Sequence, residues 1–300
     1  MNNRFKLVDP IFRSIESKNG WLCLKENKKS IYRIFRVFSG SCNITDEFTG
    51  KTTSAKTNYF YLPFLENSQR NIKSIEDSFN GEIKINALAS EFKKIKENKE
   101  FYDLLEPEIV ACIIARNEGR ILESFLFLYR SLEGISYSIP LIYISKQRNF
   151  KKSFNALKNY MPKKSGEGEL AFFKKFIQET LMKNNDELRS PIRLSLDSLD
   201  LYEIKPLYYR YYIELAKGKI IESEEDESIS FSFDQFYEFL IELRNRYFHF
   251  LQGTWQNNVS TEKVVYPDLF FKPVIDLGIN WLATIFYEVI KFEMNGNDSN

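Results

Sequence analysis

The sequence predicts an α+β protein: a small β-rich N-terminal module followed by an all-α helical bundle. Three observations carry that expectation. Runs of β-branched and aromatic residues separated by glycine-containing turns fill the chain up to residue 89. From Glu118 onward, apolar residues recur at three- and four-residue steps. And 43 % of the 300 residues are hydrophobic, 27 Phe and 17 Tyr among them, which supplies the apolar surface a folded core needs.

In the first module, Ile31 to Phe38 (IYRIFRVF) reads as a strand. So does Asn58 to Leu65 (NYFYLPFL), where Pro63 favours an edge or an end. Gly81 to Leu88 alternates Ile83, Ile85 and Ala87 against polar neighbours. Ser39-Gly40-Ser41, Thr49-Gly50-Lys51 and Asn80-Gly81 are the turns between these runs. Residues 89–106 read as a charged helix trailing the module, which sets the first domain at 1–106, a helical domain at 107–294 and a disordered tail at 295–300. In the helical domain, Ile121, Phe125, Leu128, Leu132 and Ile135 share one face of a long helix, with a break expected soon after Pro140. Further helices are expected near 150–161, 168–184, 205–217, 232–251 and 273–292. Glu222 to Glu227 reads as a solvated acidic loop between two of them. Tyr208 to Tyr212 place four tyrosines all round one helix, so packing is the expected role.

Composition excludes several chemistries. There are 42 basic and 41 acidic side chains, and one histidine, His249. A zinc site built mainly from imidazoles, or a metalloprotease helix with two histidines, is impossible within one chain. A metal centre built on histidines is therefore not expected, and no cofactor is expected. Cys23, Cys42 and Cys112 are odd in number and far apart, so they form no redox motif and no disulfide framework. The N-terminal residues Met1 to Lys6 lack an apolar signal core. The most apolar stretch, Trp281 to Ile290, is interrupted by Glu288 and is too short to span a bilayer. These features predict a cytoplasmic protein without a membrane partner.

The helix that carries the histidine opens with Ser232 and Gln235 at capping-box spacing. An apolar stripe of Phe236, Phe239, Leu240, Leu243, Tyr247, Phe250 and Leu251 follows. Arg244 and His249 lie five residues apart, about 140° on an ideal helix, so they do not share one face of a straight helix. Either the helix distorts there or a second chain completes the site. The string Arg244-Asn245-x-x-x-His249 resembles the R-x4-6-H motif of HEPN domains, and Phe125 to Glu133, ending Tyr-Arg-Ser-Leu-Glu, is similar to the opening helix of Apea-like HEPN domains. An apolar helix over 273–292 follows the motif, as in that family. The resemblance covers about residues 110–292, and the long polar stretch 140–205 departs from the family pattern.

That resemblance implies a HEPN-type bundle and a metal-independent endoribonuclease in which two protomers pair their motifs in one cleft. It implies catalytic roles for Arg244, His249 and Asn245. Glu133 and Arg246 are expected to support the site; Glu133 either reaches it from the opening helix or serves as the structural partner of a nearby arginine. Tyr247 lies on the apolar stripe and is expected in the core. The partners implied are RNA, a second copy of the chain and a regulatory or activating protein. The setting implied is a defence, abortive-infection or toxin system. A catalytically inactive HEPN-like scaffold subunit is the competing expectation, in which Arg244 and His249 serve packing or an interface.

Residues 146–175 carry nine basic side chains against Glu167 and Glu169. Lys151, Lys152, Lys163 and Lys164 are candidate RNA contacts, because lysines track phosphates and interleaved aromatics such as Phe150 and Phe154 can stack bases. The competing expectation is a solvated lysine face over a phenylalanine core. Ser165-Gly166-Glu167-Gly168 is no phosphate loop, since it lacks the lysine of that motif and its glutamate repels phosphate.

Overall fold

The computed structural model describes residues 4–10, 23–60, 88, 90, 92, 98–147, 149–161, 169–199, 201–248, 259 and 264–295. The chain forms two compact units, one comprising Met1–Glu118 together with Leu282–Asn300, the other Gly119–Trp281.

In the first unit, β1 (Phe5–Val8), β2 (Cys42–Asp46) and β3 (Thr52–Ala55) form an antiparallel sheet in the order β1-β2-β3. Phe5 lies opposite Asp46, and Cys42 opposite Ala55. Phe5, Leu7, Cys42 and Ile44 alternate into the core, as a one-sided sheet requires. Residues Ser30–Phe38, expected as a strand, form helix α1 instead. Ile31, Ile34, Phe35 and Phe38 are spaced for one helical face, and Tyr32 and Val37 are buried as well. Its β-branched and aromatic residue types suit a strand, but Arg33 and Arg36 recur at a helical step, and its neighbours decide. α1 packs against α2 (Lys99–Asn117). α2 runs through the expected boundary at 106/107, with Pro107 inside it. Of the run 58–65 only 58–60 are described, of 81–88 only Leu88, and the turn at 80–81 lies outside the described residues.

Gly40, in the turn after α1, has φ +64°, and a Cβ there would sit 2.5 Å from the Thr57 carbonyl oxygen. Only glycine meets both conditions. Beside this turn the buried Arg36 guanidinium is fully engaged: Nη2 pairs with Asp9 Oδ1 at 2.8 Å, Nε donates to Ser41 Oγ at 2.8 Å, and Nη1 donates to the Tyr32 hydroxyl at 3.1 Å. A charge so deep is tolerated because each of its three nitrogens finds a partner.

The second unit is mostly helical: α3 (Ile121–Ser145), α4 (Phe150–Tyr160), α5 (Glu169–Phe176), α6 (Lys205–Leu215), α7 (Phe233–Phe248) and the first part of α8 (Pro267–Asn295). α5 continues through a π-helical turn, Ile177–Leu181. α3 does not end at Pro140 but continues to Ser145, because Ile139, Ile142 and Tyr143 are buried on both sides of the proline. The unit is not all-α. β4 (Ile192–Ser195), β5 (Ile220–Glu224) and β6 (Ser228–Phe231) form a second antiparallel sheet in the order β4-β6-β5. The acidic run expected as a loop is therefore the end of β5 and its hairpin turn. Asp226 takes φ 57° at the tip, a conformation that Asp tolerates better than most residues.

The core of this unit sits between α3, α7 and α8. Phe125, Leu128, Leu132 and Ile135 are all buried along one face of α3, and a Cβ on Gly278 would meet Leu128 Cδ2 at 2.5 Å. Trp281 stacks on Tyr237 with ring centroids 5.3 Å apart and planes 7° from parallel, and its Nε1 donates to the Phe233 carbonyl at 2.8 Å. Tyr208, Tyr209 and Tyr212 are buried, in keeping with a packing role. At the start of α7 no reciprocal capping box forms: the Ser232 hydroxyl donates to Asp234 Oδ1, Gln178 donates to Asp234 Oδ2, and Gln235 Oε1 is buried without a partner. The segment Pro267–Phe292 of α8 is long and apolar enough to cross a membrane by length and composition, unlike the shorter stretch at 281–290, and 78 % of its most apolar window is buried within the protein.

Candidate active site

Arg244 and Asn245 lie on the last described turns of α7, directly after the buried Leu240 and Leu243 that anchor the helix. The Arg244 side chain is 25 % exposed, and three groups among the described residues contact it. Its Cζ lies 4.6 Å from the centroid of the buried Tyr129 ring, its Nη2 lies 3.7 Å from Glu133 Oε1, and its Nη1 donates to Asn245 Oδ1 at 3.1 Å. Tyr129 and Glu133 are four residues apart on α3 and so present ring and carboxylate on the same face. The ring sets the plane of the guanidinium while the carboxylate draws its charge, an arrangement that suits arginine and not lysine.

The structure thus brings together Arg244, Asn245 and Glu133. Tyr129 is the residue the sequence reading missed, although its i,i+4 relation to Glu133 within the Tyr-Arg-Ser-Leu-Glu string was there to find. Arg246 turns elsewhere and pairs with Glu242 one turn back on α7. Glu238 is taken by Lys174 at 2.7 Å. Tyr247 is half-buried against Phe271, with centroids 4.9 Å apart in an edge-to-face contact. Burial pushes its phenol pKa up, and the Asp268 carboxylate adds to the shift. His249 lies outside the described residues, as do Lys163, Lys164 and residues 165–168.

The basic stretch divides by burial. Tyr160, Phe172 and Phe173 are core residues. Phe150 and Phe154 are exposed at 83 % and 53 % and stack on each other 6.1 Å apart, with Lys151, Lys152 and Lys158 exposed around them on α4. Neither expectation, an aromatic RNA surface or a lysine face over a phenylalanine core, describes the whole stretch. Among the described residues, no group of three His, Cys, Asp or Glu side chains is placed to hold a metal ion.

Neither family models, nor curated proteins, nor solved structures match this chain.

Proposed function

We propose that this protein is a metal-independent endoribonuclease of HEPN type, acting in the cytoplasm as the effector of a defence, abortive-infection or toxin system. The observation that supports the reading is an arginine oriented by Tyr129 and Glu133 five residues before the only imidazole in the chain. RNA carries its own nucleophile. His249 takes the proton from a 2′-hydroxyl as its oxygen attacks the adjacent phosphorus, and the 5′-oxygen leaves with a proton returned by an imidazole. Arg244 neutralises the charge that grows on the phosphorane oxygens, and Asn245 holds a phosphate oxygen. The products are a 2′,3′-cyclic phosphate and a 5′-hydroxyl. Two chains pair their motifs, which removes the obstacle of the 140° rotation between Arg244 and His249. The exposed Phe150 and Phe154 rings with Lys151 and Lys152 give the substrate strand a stacking surface within a basic surround.

The test is cleavage of RNA in EDTA by wild type, Arg244→Ala and His249→Ala. Either substitution is expected to lower the rate by about 100-fold or more. Equal cleavage by all three proteins, or a strict metal requirement, overturns the assignment. The competing reading, an inactive scaffold subunit, is favoured by the way Arg244 is engaged on three sides, as a structural arginine also is. It predicts that the same substitutions change assembly mass with no nuclease activity to lose.

A further inference from the structure

α3 buries one face in its own unit and leaves a stripe on the other. Leu126, Tyr137 and Leu141 are 41 %, 42 % and 49 % exposed, and Arg130, Glu133 and Gly134 are exposed between them. At 100° per residue these six positions fall within about 100° of arc, so they form one seam along the helix. The seam has a symmetry of its own. About the midpoint between 133 and 134, Leu126 mirrors Leu141, Arg130 mirrors Tyr137, and Glu133 mirrors Gly134. Two such helices crossing antiparallel on a two-fold axis at that midpoint therefore set leucine against leucine at both ends and arginine against a tyrosine ring on both flanks. At the centre a glycine with nothing within 4 Å of its Cβ position lets the backbones approach.

We propose that this seam is the homodimer interface, with α3 of one chain antiparallel to α3 of its partner. In that register the leucine ends meet and Arg130 faces a tyrosine ring, whereas a parallel pairing sets Glu133 against Glu133 and Arg130 against Arg130. The interface is a single helix pair about 22 Å long from Leu126 to Leu141, short by the standard of obligate dimers, so association depends on concentration. Its consequence for catalysis rests on the proposed function: Glu133 at the axis holds Arg244, so dimerisation brings two Arg244 side chains to either side of one axis.

Two measurements test the interface. Light scattering on the wild-type chain is expected to approach twice 35.5 kDa at about 100 µM, while Leu126→Glu/Leu141→Glu stays at the chain mass with unchanged circular dichroism. Oxidised Leu126→Cys/Leu141→Cys is expected to form a reducible dimer well above the wild-type background, which each single cysteine variant does not reach. A wild-type chain that stays monomeric, a dimer that survives the double glutamate variant, or a double-cysteine variant that does not cross-link overturns the proposal. The two readings fail separately: a dimer through α3 without RNA cleavage sinks the nuclease and leaves the interface, whereas full cleavage by the monomeric double glutamate variant sinks the role of the interface in a composite site.

Discussion

Arg244 shows how a single side chain is set by what surrounds it. The Tyr129 ring fixes its plane and Glu133 offsets its charge, so Tyr129→Leu should leave the arginine in place but free its orientation. The expected result, if the nuclease reading holds, is a fall in kcat larger than any rise in KM, with Tyr129→Phe restoring most of the rate because the ring is kept. Gly40 and Gly50 provide a stability comparison at the same scale. Both have positive φ, but a Cβ on Gly40 meets the Thr57 carbonyl while one on Gly50 meets nothing. Gly40→Ala should destabilise by about 2–4 kcal/mol and Gly50→Ala by about 1 kcal/mol, read from urea midpoints. Asp46 contributes to the pH dependence of stability. The Arg4 side chain donates to its carboxylate at 2.8 Å and holds its pKa below the ordinary value. A depressed carboxylate adds stability that is present above its unfolded value, near 4, and is lost as the pH falls through the folded value. Asp46→Asn should therefore lower stability at neutral pH and flatten the acid limb of the stability curve below about pH 4.

Among the elements, α8 and α7 are joined most specifically at Trp281, fully buried between Phe233 and Tyr237. Trp281→Phe keeps an aromatic ring but removes the donor to the Phe233 carbonyl and leaves part of the site empty. A loss of about 2–3 kcal/mol is expected in chemical denaturation at constant m-value. α4 stands at the other extreme. Tyr160 is its one buried residue, so it contributes surface and charge more than core. Exposed Phe150 and Phe154 cost little there, and Phe150→Ser/Phe154→Ser should leave the unfolding midpoint almost unchanged while weakening retention of single-stranded RNA if the surface serves the substrate.

Across the molecule, burial ranks the segments by how readily they open. α8 is buried along most of its length from Phe270 to Ile290, and α3 along one face from Ser124 to Tyr143, whereas α4 and the β5–β6 turn are exposed. Among the described residues, hydrogen exchange should accordingly be slowest in the middles of α3 and α8 and fastest at 150–159 and 225–227. Fast exchange at the centre of α8 would contradict its placement in the core.

The sequence by itself determined the long helices. α3 and α7 follow apolar spacing that persists over several turns, and the count of one histidine needs no structure at all. Tertiary structure decided the rest. Ser30–Phe38 is nine residues long and built of β-branched and aromatic types that read as a strand, although Arg33 and Arg36 recur at a helical step, and packing on α2 makes it a helix. β5 is polar enough to read as a loop, and it is a strand only because β6, itself paired with β4 thirty-seven residues away in sequence at Arg193–Ser230, offers it an edge. α2 crosses the boundary expected at 106/107, and Leu282–Asn300 joins the first unit, a discontinuity no linear pattern carries. At the candidate site the spacing of Arg244 and Asn245 was legible, but the grip of Tyr129 and Glu133 was not. It spans more than one hundred residues of chain, and only the packing of α7 on α3 brings those groups to the guanidinium.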